Sequence, residues 1–338
     1  MGASEASHLN SFQDINKMPP EGNKSSTKKT DSLEKTLCEG NITYSSEEIY
    51  GLNDFLGNEE TKNEMKEIYL QLSGGKVFKS MGVKPDRSFI FYGENGTGKT
   101  FGVNCIGGEL ANEGKRILIA RYEIGQYGTA YINKGSVILQ SFFDEHRSLL
   151  KNKENGINKI LYIFDEAEVL MGKRGSNKNG HKEDDKLLNT LMLNLQQISN
   201  SDEEQYIFFM TNKIDLIDDA SIRSGRVDRK VKFQNPDYPA RYELFSSAIK
   251  KINDKAKYHV IRNFDLDELA KKSDNFNCVD CLEIPSRAVK NKVNEILIER
   301  TNKNIPKAYI HQRILIDEIE KQRLTYSRTK KAKIGFQL

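Results

Sequence analysis

No stretch of this sequence is long and apolar enough to cross a bilayer. The longest such runs are short, as in "ILYIF", whereas a spanning helix needs about 20 residues. Charge of one sign is not in large excess either. Fifty-two basic residues against 48 acidic ones leave a net +4, too little to make nucleic acid or an anionic membrane the main partner. Cysteine is scarce, with only Cys38, Cys105, Cys278 and Cys281. The last two form a C-x-x-C, but no second close pair or neighbouring histidine completes the four ligands of a structural zinc. Reduced thiols in a small helical domain are the expected state. The opening "MGASEASHLN" has no secretory apolar core, and Ala6 stands where a myristoylation signal wants Ser or Thr. The expectation is an intracellular, soluble protein, cytoplasmic or in an organelle.

The 338 residues suggest about two domains, and 37% hydrophobic residues are enough for a core. Residues 1–46 are poor in apolar side chains. "PPEGNKSSTKKTDS" buries too little surface to offset its ordering entropy, so this leader is expected to be mostly disordered. From 47 to 235 short apolar runs alternate with amphipathic helical patterns. The runs are "SFIFYG", "RILIARY", "KILYIFDE", "QYIFFMTN" and "RKVKF". The alternation predicts an α/β domain with a parallel sheet covered by helices. From 236 to 325 helical periodicity takes over in "DLDELAKKS", "IPSRAVKNKVNEILIERT" and "IHQRILIDEIEKQRL", predicting a small helical domain. Residues 326–338 read as a basic, frayed tail.

The first apolar run leads into "FIFYGENGTGKT", with the spacing Gly93-x-x-x-x-Gly98-Lys99-Thr100. This is the phosphate-loop pattern. Gly93, Gly96 and Gly98 let backbone N–H groups turn towards phosphate oxygens. The helix expected from Thr100 to Glu113 puts its positive end under them. Lys99 is expected to reach the β- and γ-phosphates of a nucleoside triphosphate, and Thr100 to ligate Mg²⁺.

Three further groups fit the same chemistry. "KILYIFDEAE" closes a strand with Asp165, placed to hold Mg²⁺, and Glu166, placed as general base for the attacking water. "QYIFFMTN" ends in Asn212, at the strand end where parallel sheets line their ligand crevice. It is able to orient that water or touch the γ-phosphate. "SIRSGRVDRKVKF" carries Arg226 and Arg229 around Asp228. The pair reads either as a solvated basic turn or as arginine fingers, which stabilise transition-state charge. Fingers that serve only a neighbour imply a head-to-tail ring.

In this order the pieces resemble the AAA family of the AAA+ ATPase superfamily, from about Gly51 to Leu282. "NDFLGNEETKNEMKEI" resembles the family's entry segment, "MGVKPDRSFIFYGENGTGKT" its phosphate loop, "LYIFDEAEVLMGKRGS" its metal-and-base strand, and "FFMTNKIDLIDDASIRSGRVDRKVKFQNPD" its second region of homology. The resemblance implies a P-loop NTPase core with a C-terminal helical lid. It implies ATP and Mg²⁺ as ligands, Thr100 and Asp165 at the metal, Asn212 as sensor, and Arg226 and Arg229 as trans-acting fingers. Leu56 and Gly57 are implied near adenine, and Cys278 and Val279, in "DNFNCVDCL", near adenosine. The nucleotide-binding loop then runs through Gly93, Glu94, Asn95, Gly96, Thr97, Gly98, Lys99, Thr100 and Phe101. Glu94 and Asn95 occupy positions usually held by proline, and Cys278 and Val279 positions usually held by glycine and alanine. "LLKNKENGINK" is an additional charged loop.

The family's members commonly grip a protein segment with an aromatic–aliphatic pair on a pore loop. Tyr131 and Ile132 in "YGTAYINKGSVILQSFF" fit that register, with Tyr127 as the other choice, and "KRGSNKNGHKEDD" fits a second pore-facing loop. The function implied is a ring-forming, hexameric ATPase that remodels, unfolds or disassembles a protein substrate, reached directly or through an adaptor. The alternative is an AAA+ nucleic-acid motor or loader, which a strongly basic face or an appended DNA-binding domain would favour.

Overall fold

The computed structural model describes residues 41–43, 50–122, 135–172, 181–218, 222, 226–298 and 307–335. Tyr131, Ile132 and Tyr127 lie outside the described residues, as do residues 173–180 of the second expected loop.

All five expected strands form. They are β2 (Ser88–Tyr92), β3 (Arg116–Tyr122), β4 (Ile157–Phe164), β5 (Gln205–Thr211) and β6 (Arg229–Lys232). A further strand, β1 (Asn41–Thr43), not expected from the sequence and lying within the leader expected to be mostly disordered, pairs antiparallel with β3 at the sheet edge. The sheet order is β1-β3-β4-β5-β2-β6, and every pairing except β1–β3 is parallel.

Alternation along the strands explains why both faces are covered. In β5, Tyr206, Phe208 and Met210 join one core with Phe89 and Phe91 of β2, while Ile207 and Phe209 join the other with Ile90. The first core is closed by α1 (Glu59–Ser73) and by α3 (Lys99–Asn112), which follows the short α2 (Gly75–Ser80). The second is closed by α4 (Gly135–Lys151), the short α5 (Ala167–Met171) and α6 (His181–Asn200).

Among the described residues, the elements that follow β6 are the helices α7 (Tyr238–Lys255), α8 (Leu266–Lys272), α9 (Cys278–Ile298) and α10 (Gln312–Gly335). They share a third core that includes Phe245, Phe276, Ile284 and Ile319. Asp237 starts α7 by accepting the Ala240 N–H at 3.0 Å, and Asp265 starts α8 by accepting from Asp267 and Glu268. Two boundaries differ from expectation. Helix α9 begins at Cys278, ahead of Pro285, so the C-x-x-C occupies its first turn. Helix α10 continues to Gly335, through the segment expected to fray from 326.

Phe208 is fully buried, with its ring 4.9 Å from that of Phe89 and 5.4 Å from that of Phe91. Phe208→Ala is expected to cost about 3–5 kcal/mol, a large share of a domain's ~5–15 kcal/mol. Urea unfolding followed by circular dichroism checks this; a loss below ~1 kcal/mol would contradict this aromatic layer as a main support of the sheet.

Candidate nucleotide site

Because β4, β5 and β2 are adjacent and parallel, their C-terminal ends emerge side by side. Neighbouring strands lie about 4.8 Å apart, so the groups that follow them share one edge of the sheet. Gly93 follows β2, Asp165 and Glu166 follow β4, and Asn212 follows β5.

Lys99 joins these ends. Its buried ammonium donates to Gly93 O at 2.9 Å, Glu94 O at 2.8 Å and Asn212 Oδ1 at 2.7 Å. All three N–H donors of the ammonium therefore have acceptors. Burial lowers the lysine's pKa, against the opposing pull of the Asp165 and Glu168 carboxylates.

The loop backbone needs its glycines. Gly93, Gly96 and Gly98 have φ of 150°, 77° and 92°. A Cβ on Gly93 would lie 2.0 Å from Phe233 O, and one on Gly96 2.8 Å from the Asn277 side chain. Thr97 Oγ1 donates to Glu94 O at 2.8 Å, closing the turn, while Asn95 is exposed. Helix α3 begins at Lys99, and the N–H groups of its first turn have no side-chain cap from Gly98, as at helix starts that receive an anion. The bare backbone cradle and the desolvated lysine fit a phosphate chain. Thr100 Oγ1 lies 3.2 Å from Met210 Sδ, and the Phe101 ring packs inward against Tyr50 and Phe55.

Asp165 and Glu166 are exposed, and Asp165 Oδ1 accepts the Glu166 N–H at 2.9 Å. Glu166 adopts φ 51° and ψ 44°, the left-handed conformation that costs a non-glycine residue about 1–2 kcal/mol. Glu168, to which the sequence assigned nothing, accepts from Thr211 Oγ1 at 2.5 Å and so links α5 to the end of β5.

The opposite wall comes from the helical domain. Asn277 caps α9 through Oδ1 to the Asp280 N–H at 2.8 Å, a role legible in the rule that Asn precedes helix starts. Val279 N–H donates to Gly96 O at 3.3 Å, although the Val279 side chain is exposed. Cys278 Sγ lies 3.8 Å from Thr97 O and 4.0 Å from Leu56 O, with Gly57 buried next in sequence. Cys278 and Val279 thus touch the phosphate loop directly, Leu56 meets it through Cys278, and Gly57 sits beside the Phe55 ring that also faces Gly98. Burial pushes the Cys278 and Cys281 thiols up to about 12, far from the thiolate range needed for reactivity.

Arg226 and Arg229 do not join this cluster. The β2–β6 register sets Arg229 opposite Phe89, at the far end of β2 from the loop after Tyr92. Arg226 is exposed. Arg229 is half-buried and paired within its own chain: its Nε donates to Glu64 Oε2 at 2.8 Å and its Nη2 contacts Glu67. Burial opposes its charge, but the two carboxylates outweigh that and raise its pKa. The residue between the arginines fixes the turn. Asp228 Oδ2 accepts from Arg87 N–H at 2.8 Å, Ser88 N–H at 2.9 Å and Ser88 Oγ at 2.8 Å. Its position between two arginines was visible in the sequence; its pairing with the start of β2 was not.

Residues 89–235 match the family model described as the ATPase family associated with various cellular activities (AAA). Proteasome-activating nucleotidase of Saccharolobus islandicus is 27% identical over 308 residues, covering 88% of this chain and 71% of that protein. The nucleotidase of the same name from Saccharolobus solfataricus is 28% identical over 273 residues, covering 78% and 62%. Among solved structures, the crystal structure of the FIGL-1 AAA domain superposes with a TM-score of 0.65 at 16% identity, over 92% of this chain and 98% of that one. At that identity the likeness concerns the fold.

Relief of backbone strain separates Glu166 from its neighbours. Glu166→Gly is expected to be about 1 kcal/mol more stable than Glu166→Ala. Chemical unfolding of the two variants checks this; equal stability would show that the left-handed backbone is not strained.

Proposed function

Because this chain belongs to the AAA family of ATPases and hydrolyses ATP, we propose that it couples hydrolysis to remodelling or unfolding a protein substrate within a head-to-tail, hexameric ring. The observation that carries this reading is the Lys99 hub, where the phosphate loop and the Asn212 strand end meet at one ammonium group. The proteasome-activating nucleotidases similar to most of this chain support the protein-directed part.

In this reading the N–H groups from Gly93 to Phe101 and the Lys99 ammonium bind the triphosphate. Leu56, Gly57, Cys278 and Val279 frame the adenosine. Thr100 and Asp165 are hard oxygen donors that would hold Mg²⁺, which would neutralise phosphate charge there. Glu166 accepts the proton of the attacking water, and Asn212 orients that water. Arg226 and Arg229, at the other end of β2, serve a neighbouring subunit's phosphates, for which Arg229 must leave Glu64 and Glu67. Tyr131 and Ile132 grip the substrate.

Lys99→Ala is expected to abolish binding of a fluorescent ATP analogue; wild-type affinity would overturn the site. Glu166→Gln should retain binding and lose ~10²–10⁴ in hydrolysis, and a normal rate would assign the base elsewhere.

Arg226→Ala should bind ATP and hydrolyse it poorly, and mixing it with Glu166→Gln should restore turnover. Mixed rings no more active than the separate mutants, when the subunits demonstrably exchange, would argue against fingers in trans. An unfolded protein should raise wild-type turnover, and Tyr131→Ala should remove that increase. Stimulation by DNA instead would favour a nucleic-acid motor.

A further inference from the structure

The first turn of α9 rests on the phosphate loop, but its own residues do not hold it there unaided. Asp280 is buried in that turn, and a carboxylate out of water needs donors. Both of its oxygens are served by α10, from more than 40 residues further along the chain. Gln322 Nε2 donates to Oδ1 at 2.7 Å, and the Tyr326 hydroxyl donates to Oδ2. Gln322 is itself oriented, since its Oε1 accepts from Arg287 Nη1 at 2.8 Å. The Tyr326 hydroxyl also accepts from Asn277 Nδ2 at 3.3 Å. That amide is the group a Cβ on Gly96 would strike, so Asn277 packs directly against the phosphate loop. A continuous polar path therefore runs from α10 through Tyr326 to Asn277 and Asp280, and ends at Gly96, whose carbonyl takes the Val279 N–H.

We propose that Tyr326 and Gln322 are positioning residues for the nucleotide: they fix Asp280 and Asn277 so that the start of α9 stays seated on the phosphate loop, and the affinity for ATP therefore depends on α10. This rests on the reading of the phosphate loop as the ATP site. A hydroxyl that donates to a carboxylate and accepts from an amide defines one position for both. Removing it frees the Asn277 amide and leaves one Asp280 oxygen unpaired, so the wall facing Gly96 loses its fixed geometry. The same contacts would serve a purely structural role if they did no more than fasten α10 to α9, and the two roles predict different measurements.

Tyr326→Phe keeps the ring that packs 5.6 Å from Phe276 and removes only the hydroxyl. In the full chain, titration with a fluorescent ADP analogue well below the melting transition is expected to show about a tenfold weaker Kd. KM for ATP should rise in parallel while kcat falls by less. Asp280→Asn should weaken binding similarly, and the double variant should be no weaker than the worse single one, because both act on one path. Lys99→Ala is measured alongside. If it binds normally, the ATP-site reading fails. If it loses binding while Tyr326→Phe stays within twofold of wild type, the positioning role is overturned and the contacts are structural. Should Tyr326→Phe fail to fold, Gln322→Met removes the other donor to Asp280 and decides the matter by the same criterion.

Discussion

One ammonium group holds the nucleotide edge of this protein together. Lys99 brings the end of β2, the phosphate loop and the end of β5 to within 3 Å of a single nitrogen. Two of its acceptors are backbone carbonyls of the loop itself, so the loop is folded around its own lysine. Burial works against the charge, and the carboxylates of Asp165 and Glu168 work for it. The ammonium is therefore already desolvated, and a phosphate oxygen that replaces a carbonyl meets a charge with little water left to remove. Glu168 in turn is held by Thr211, whose carbonyl takes the Gly93 N–H at 3.2 Å. Displacing Lys99 would disturb each of these contacts.

The sheet separates two kinds of chemistry along the length of one strand. At the C-terminal end of β2 lie the loop and, through β5 and β4, Asn212, Asp165 and Glu166. At its N-terminal end, Ser88 and Asp228 anchor the turn that carries Arg226 and Arg229. β2 is only five residues long, so the two ends are about 15 Å apart. A single subunit in this geometry presents hydrogen-bond donors for phosphate on one side and cationic side chains on the other, an arrangement that a repeating head-to-tail contact would use.

Much of this was legible in the sequence because it rests on local patterns. The apolar runs are buried on both faces, as strands of a parallel sheet are, so they stand out from the polar helices around them. The phosphate loop is read from its glycines, and Asp165, Glu166 and Asn212 from their places after apolar strands. What was missed depends on partners distant in the chain. β1 is three residues long and is defined by its pairing with β3. Helix α9 starts before Pro285, whereas proline usually marks a first turn. The extent of α10 follows partly from Tyr326 meeting Asp280, 46 residues away. The cis partners of Arg229 lie on α1, more than 160 residues earlier, and no local signal connects them.

The pairing of Arg229 with Glu64 and Glu67 has a consequence for how subunits would come together. A guanidinium neutralised at home enters a neighbour's site by exchanging one set of anions for another. The Coulombic gain is then the difference between two similar terms, and two carboxylates are released that need solvent or new cations. Added salt screens the bonds broken as well as the bonds formed. An assembly with fingers of this kind would gain little net cohesion from the Arg229 ion pair itself.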